Sequence, residues 1–134
     1  MRITARVQNS ASSHEVIVST AGTEQALAVP RKSSGSGSAV NGGEFLMLAL
    51  ATCYCNDLYR EAAKLGMHLE QVTVEASAEF PGIGLAANNI TYHAEVSSPA
   101  SEDEITKLLR QTDAVAEVHN TVRAGVQVKY ESGG

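Results

Sequence analysis

The most constraining feature of the sequence is a long apolar segment that contains both cysteines of the chain. It runs from Glu44 to Asp57 with the sequence EFLMLALATCYCND, and residues 45–51 carry no polar side chain. A helix that is apolar on every side needs cover on every side, so we expect this segment to be a buried central helix. A thiol inside such a helix is either a packing residue or a reactive group in an apolar pocket.

Length and composition predict one globular domain, residues 1–134, in the cytoplasm. Hydrophobic residues make up 43% of the chain and charged residues 19%, which is typical of globular proteins. No apolar run reaches the roughly 20 residues of a membrane span, and the N-terminus has no signal-peptide pattern. The net charge of -5 and the aromatic content of 4% argue against nucleic acid as a partner.

The periodicity of apolar residues predicts six strands and three helical segments. The strands are predicted at residues 2–8, 14–20, 25–29, 69–80, 89–96 and 126–130, and the helical segments at residues 43–65, 101–112 and 114–121. The resulting order is βββ–α–ββ–α–β, with the last short helical segment preceding the final strand. The predicted class is α+β: an antiparallel sheet with helices packed on one side, and a long central helix that needs a second subunit to cover it.

The polar residues of the central helix lie mainly in its second half. Glu44 in the first turn suits the positive end of the helix dipole. Asp57 with Arg60, and Glu61 with Lys64, are spaced to form surface ion pairs.

Cys53 and Cys55 point about 200° apart on a helix, so we expect two free thiols rather than a disulfide. A Cys-x-Cys pair with distant histidines lacks a set of four ligands, so we predict no metal, and the sequence indicates no cofactor. The Gly/Ser-rich loop at residues 33–43 is either a flexible connector or a loop over a site.

The chain resembles a known family, the OsmC/Ohr superfamily of small thiol-dependent peroxidases. The resemblance lies in the order of elements and in a Gly-rich loop that leads into GGEFLMLALATC, where Glu44 precedes Cys53 by nine residues. It continues through EAAKLGMHLEQVTVEASAEF and EVHNTVRAGVQV. It implies an OsmC-like intertwined homodimer with an active site at the subunit interface. It also implies that Cys53 reduces organic hydroperoxides in oxidative stress defence and that Glu44 holds an activating arginine.

Two departures from the family pattern are visible. The resolving cysteine of the family would fall at Ala116, so an external thiol would have to complete the cycle. The activating arginine of the family comes from the N-terminal strands, where Arg6 and Arg31 are the candidates. His119 and Asn120 lie beside the vacant cysteine position, and His119 is a candidate positive partner or proton acceptor for the thiol.

Three functions therefore remain open. The first is a thiol peroxidase that uses Cys53, with Cys55 as a candidate resolving thiol across the dimer axis. The second is a degenerate site that binds an apolar small molecule without turnover. The third is a thiol redox sensor. A cation within hydrogen-bonding reach of Cys53 favours chemistry, and a purely apolar surrounding favours binding or packing.

Overall fold

The computed structural model describes residues 1–133; Gly134, the last residue of the predicted domain, lies outside the described residues. The elements follow the order β1 (Ile3–Asn9), β2 (His14–Thr20), β3 (Thr23–Leu27), α1 (Gly42–Lys64), β4 (Gln71–Glu79), β5 (Asn88–Ser97), α2 (Glu102–Val115) and α3 (Glu117–Ala124). All strand pairs are antiparallel, so the predicted α+β class is confirmed. Within residues 1–133, no helix combines the length and hydropathy that a membrane span requires.

The first compact unit, residues 1–45, is built on a three-stranded meander in the order β1–β2–β3. The turn between β2 and β3 consists of Ala21 and Gly22, whose φ angles of 50° and 88° are left-handed. Two such residues match the twist of a tight hairpin, which explains the short connection. The apolar side chains of β1 remain exposed, with Ile3 at 66% and Val7 at 61%. This sheet therefore presents apolar residues that its own unit does not cover.

The second compact unit begins at Leu46 and contains the main hydrophobic core. One face of α1 supplies residues four apart, Tyr54, Leu58 and Ala62, because that spacing places them in one row along a helix. Leu69, Leu108 and Ala116 complete the buried cluster. Cys53 is half-buried and packs against this cluster. The core therefore fixes one side of the helix segment that carries the thiol.

The helix ends follow from local side-chain chemistry. Asn41 and Glu44 exchange hydrogen bonds between side chain and backbone at 2.8 and 3.0 Å, which starts α1. Gly66, at a φ of 68°, follows the end of this helix, as its sequence position predicts. Ser101 and Glu104 form the predicted capping box of α2.

The prediction of a final strand at residues 126–130 is wrong, and so is the prediction of a single sheet. Within residues 1–133, five strands form, in one sheet of three and one of two. Val126, Val128 and Tyr130 are 63%, 94% and 94% exposed, and the described residues provide no strand beside them. Their alternation satisfies the pattern of a strand, but a strand also needs a neighbour for its backbone hydrogen bonds. The observed order therefore ends in α2 and α3.

Candidate functional site

Cys53 lies beside two carboxyl groups that come from different parts of the chain. Its Sγ donates to Asp57 Oδ2 at 3.4 Å, one helical turn further along α1. Glu117 Oε2, from the first turn of α3, lies 3.9 Å from the same sulfur. The first contact follows from helix geometry, because residues four apart share a face. The second depends on α3 packing beside α1.

Arg60 links these two carboxyl groups. Its Nη1 lies 3.1 Å from Asp57 Oδ1 and 3.0 Å from Glu117 Oε1, while its Nε donates to Glu61 Oε2 at 2.9 Å. Asp57 and Glu117 thus each contact the guanidinium through one carboxylate oxygen and the thiol through the other. The predicted pair of Asp57 and Arg60 forms, but it is not a surface pair, because Asp57 is only 6% exposed. The predicted pair of Glu61 and Lys64 also forms, at 3.1 Å.

The electrostatics around Cys53 keep its thiol protonated. Burial is the main factor that raises the pKa of Cys53, and the charges of Asp57 and Glu117 raise it further. The backbone N–H of Val118, in the first turn of α3, acts in the opposite direction, because it donates to the sulfur and favours the thiolate. At neutral pH the thiol therefore needs a proton acceptor before it can act as a nucleophile.

The two carboxyl groups differ in their own protonation. Burial raises the pKa of Asp57 above its ordinary value, against the opposing effects of the Cys53 thiol and Arg60. Its own backbone N–H is the main factor that lowers the pKa of Glu117. The raised pKa of Asp57 favours proton uptake, and its Oδ2 lies closer to the thiol than Glu117 Oε2 does. Asp57 is therefore the group best suited to accept the Cys53 proton.

The three side chains also carry atoms that bind metals. Each of these side chains offers one ligand atom, and the three atoms, from Cys53, Asp57 and Glu117, lie within 4.8 Å of one another. Arg60 Nη1 already contacts both carboxylates and supplies the positive charge that a metal ion would bring. Two of the three donors are thus paired with an arginine of the chain itself.

The structure places the other predicted site residues of α1 in different surroundings. Glu44 belongs to the first unit, where its carboxylate accepts from the backbone N–H of Asn41. Cys55 is a free, half-buried thiol, as predicted. Within the described residues, its sulfur has no recorded hydrogen bond. The structure thus assigns Glu44 a capping contact and brings neither residue into the cluster around Cys53.

The two arginines predicted from the N-terminal part of the chain lie in the first unit. Arg6 is in β1, opposite Ile17. Arg31 donates to the carbonyl oxygen of Ala11 and forms an isolated bridge with Ser38 across the Gly/Ser-rich loop. Arg31 therefore holds this loop in a defined conformation.

His119 is buried rather than exposed beside the thiol. It is 3% exposed, and its ring packs against those of Tyr92 and Tyr54, with centroids 4.4 and 5.7 Å away. Neither ring nitrogen has a hydrogen-bond partner within the described residues. Burial is the main factor that lowers the pKa of His119, and Arg123 adds to it. This environment favours a neutral imidazole at neutral pH.

The lowered pKa of His119 predicts a loss of stability on mild acidification. Above the ordinary pKa of 6.5 the ring is neutral in both states, and its contribution to stability is complete. As the pH falls from 6.5 through the lower pKa of the folded state, the unfolded chain binds a proton first and the fold loses stability. We expect His119→Phe to remove this part of the pH dependence and to fold as stably as the parent, because two unpaired buried nitrogens disappear.

The measurement is urea unfolding at several pH values between 7 and 5 at one protein concentration. His68→Gln is the matched control, because it removes an exposed histidine of the same chain. An unaltered slope in His119→Phe would show that another group titrates.

Residues 116 and 120 shape the junction between α2 and α3. Ala116, where the second cysteine of the resembled family would fall, is fully buried in the core cluster. Asn120 is exposed; its Nδ2 donates to Ala114 O at 3.1 Å and its Oδ1 accepts from Arg123 at 3.1 Å. Asn120 therefore acts here as a support of the turn. This turn places Glu117 and Val118 against Cys53.

Sequence reasoning missed three members of the site, Asp57, Arg60 and Glu117, as partners of the thiol. Helix spacing could have identified Asp57, which lies four residues after Cys53. The contact of Glu117 joins residues 64 positions apart, and nothing in the local sequence indicates it.

Comparison with known proteins agrees with the fold and with the resemblance. The family model described as OsmC-like protein matches residues 35–131. A search of curated proteins finds no match. An organic hydroperoxide resistance protein OsmC from Legionella pneumophila is 21% identical, with a TM-score of 0.61 over 96% of this chain and 94% of that chain.

Two further solved structures show the same architecture. An organic hydroperoxide resistance protein from Elizabethkingia anophelis is 18% identical, with a TM-score of 0.62 over 96% of this chain and 93% of that one. An OsmC-like protein from Mycoplasma pneumoniae is 20% identical, with a TM-score of 0.61 over 91% and 86%. At these identities the structures establish the fold, and the family model covers most of the sequence. The chain therefore belongs to the OsmC-like family.

Proposed function

We propose that this protein reduces organic hydroperoxides with Cys53 as the nucleophile and an external thiol as the reductant. The observation that carries the proposal is the 3.4 Å hydrogen bond from Cys53 Sγ to Asp57 Oδ2, because it pairs a nucleophile with a proton acceptor. Membership of the OsmC-like family and the similarity to two organic hydroperoxide resistance proteins support the choice of substrate.

The reaction follows from the arrangement of these groups. Asp57 accepts the thiol proton, and the thiolate attacks the terminal oxygen of the hydroperoxide. The O–O bond breaks, the sulfur is oxidised to a sulfenic acid, and the departing alkoxide takes the proton held by Asp57 to become an alcohol. One external thiol then displaces water from the sulfenic acid to form a mixed disulfide, and a second external thiol attacks the external sulfur, which releases the Cys53 thiol and a disulfide of the reductant.

We further propose that the active form is a homodimer in the cytoplasm. α1 exposes Leu48 at 56% and Tyr59 at 45%, and β1 exposes Ile3 and Val7. Apolar side chains exposed on two elements are what a second copy of the chain would cover. Roles for Glu44, Cys55, His119 and Asn120 in catalysis would depend on such an assembly.

The experiment is peroxide consumption by the purified protein with cumene hydroperoxide or hydrogen peroxide, and with dithiothreitol or dihydrolipoamide as reductant. We expect turnover that Cys53→Ser abolishes and Cys55→Ser retains. We also expect the rate to climb as the pH rises above 7, because the pKa of Cys53 is raised and little thiolate exists at neutral pH. Loss of turnover in both variants would bring Cys55 into the cycle. No turnover in the parent protein with either reductant would refute the proposal.

A second candidate function is the binding of an apolar small molecule, which a cavity in the second unit supports. Its volume is about 440 Å³, within the usual range for ligand sites. It is lined by Tyr54, Tyr92, His93, Ala94, Leu109, Arg110 and Asp113. Quenching of tyrosine fluorescence by hydrophobic ligands, and its loss in Leu109→Gln, would support this function. Unchanged fluorescence across a ligand panel would argue against it.

A further inference from the structure

The carboxylates that contact the thiol also hold the guanidinium of Arg60. Its Nη1 contacts the oxygens of Asp57 and Glu117 that face away from the sulfur. The other oxygens of these carboxylates, at 3.4 and 3.9 Å, stand next to Cys53 Sγ. Two carboxylates therefore contact both the thiol and a guanidinium whose positive charge could stabilise the thiolate.

The contacts of Arg60 differ in how readily they break. The side chain of Asp57 is 8% exposed and that of Glu61 is 14% exposed, so the surrounding structure holds both. The side chain of Glu117 is 67% exposed, and an exposed ion pair contributes little free energy. Glu61 accepts from Nε, so the guanidinium keeps a partner when a contact of Nη1 is broken. Glu117 is therefore the contact that can be released without disturbing the core.

We propose that Glu117 is a positioning residue that holds the Arg60 guanidinium away from Cys53, and that release of Glu117 lets Arg60 stabilise the thiolate. The inference rests on the proposed role of Cys53 as the nucleophile. It assigns the activating cation to the helix that carries the thiol, in place of an arginine from the N-terminal strands.

Within the described residues, the charged and titratable groups that face this site come from α1 and α3. α1 supplies Asp57 and Arg60 around the sulfur, with Glu61 behind Arg60. α3 supplies Glu117, and the neutral His119 lies close enough to Asp57 to sense its charge. If Glu117 is neutralised, Asp57 and Arg60 remain as a matched pair. The thiol then faces one negative and one positive charge.

The test is the pH profile of Cys53 alkylation by iodoacetamide in a Cys55→Ser background, which needs no peroxide turnover. We expect Glu117→Gln to lower the midpoint by about 0.5 to 1 pH unit and so raise the alkylation rate at pH 7 about three- to tenfold. Arg60→Gln should raise the midpoint. Glu75→Gln is the control, because it removes an exposed carboxylate from β4.

A double-mutant cycle separates positioning from simple repulsion. If Glu117 acts by holding Arg60, Glu117→Gln lowers the midpoint more when Arg60 is present than in the Arg60→Gln background. Equal shifts in both backgrounds, or no shift, would overturn the proposal. A shift that depends on Arg60 in a protein without peroxidase activity would support the positioning role and refute the proposed function. Circular dichroism of each variant confirms the fold before the profiles are compared.

Discussion

Replacement of Leu58 by alanine is expected to lower the free energy of unfolding by about 2–5 kcal/mol. Leu58 is fully buried in the cluster that α1 shares with α2, where Leu108 is also fully buried. Truncation removes apolar contacts and leaves a cavity that the surrounding helices fill only in part. The measurement is urea unfolding of parent and variant at one protein concentration, since assembly would make the apparent stability depend on concentration.

Leu65→Ala is the matched control for this substitution. It removes the same atoms from a side chain that is 47% exposed and lies just beyond the end of α1. We expect a loss below about 1 kcal/mol. Similar losses in the two variants would show that the core of the second unit is not centred on the row of residues that contains Leu58.

Local signals in the sequence predicted most of the fold. The apolar run of α1 and the glycine at position 66 placed the central helix within one residue at each end. The serine and glutamate at 101 and 104 placed the start of α2 because capping is a local interaction. The pairing of strands is not local, and neither the division into two sheets nor the missing strand at residues 126–130 follows from alternation alone.

The candidate site was predictable only as far as its thiol. Cys53 was evident as a thiol in an apolar helix. Asp57 was predicted to lie in a surface ion pair, because its spacing from Arg60 places the two on one face of the helix. Asp57 is instead buried beside the first turn of α3, where Arg60 contacts both Asp57 and Glu117. Such a contact depends on the packing of two helices, which the helical period of α1 does not reveal.

Ala116→Cys is expected to give this protein an internal resolving thiol. Ala116 is fully buried in the cluster against which Cys53 packs, and the next two residues, Glu117 and Val118, both contact the Cys53 sulfur. A thiol introduced there can attack the sulfenic acid of Cys53, releasing water and forming a disulfide. In a Cys55→Ser background, cumene hydroperoxide should leave both thiols resistant to alkylation until dithiothreitol is added.

Ala116→Ser is the control for this experiment, because it adds an atom at the same buried position without a thiol. Both substitutions insert volume into a packed core, and we expect each to cost about 1–3 kcal/mol. After peroxide treatment, Ala116→Ser should accumulate the sulfenic acid of Cys53, which dimedone traps. If Ala116→Cys also gives the dimedone adduct and keeps its introduced thiol open to alkylation, the turn between α2 and α3 does not bring residue 116 to the sulfur. Glu117 follows residue 116 directly, so if residue 116 does not approach the sulfur, Glu117 cannot contact both Arg60 and the thiol. This result would therefore contradict the geometry on which the positioning role of Glu117 depends.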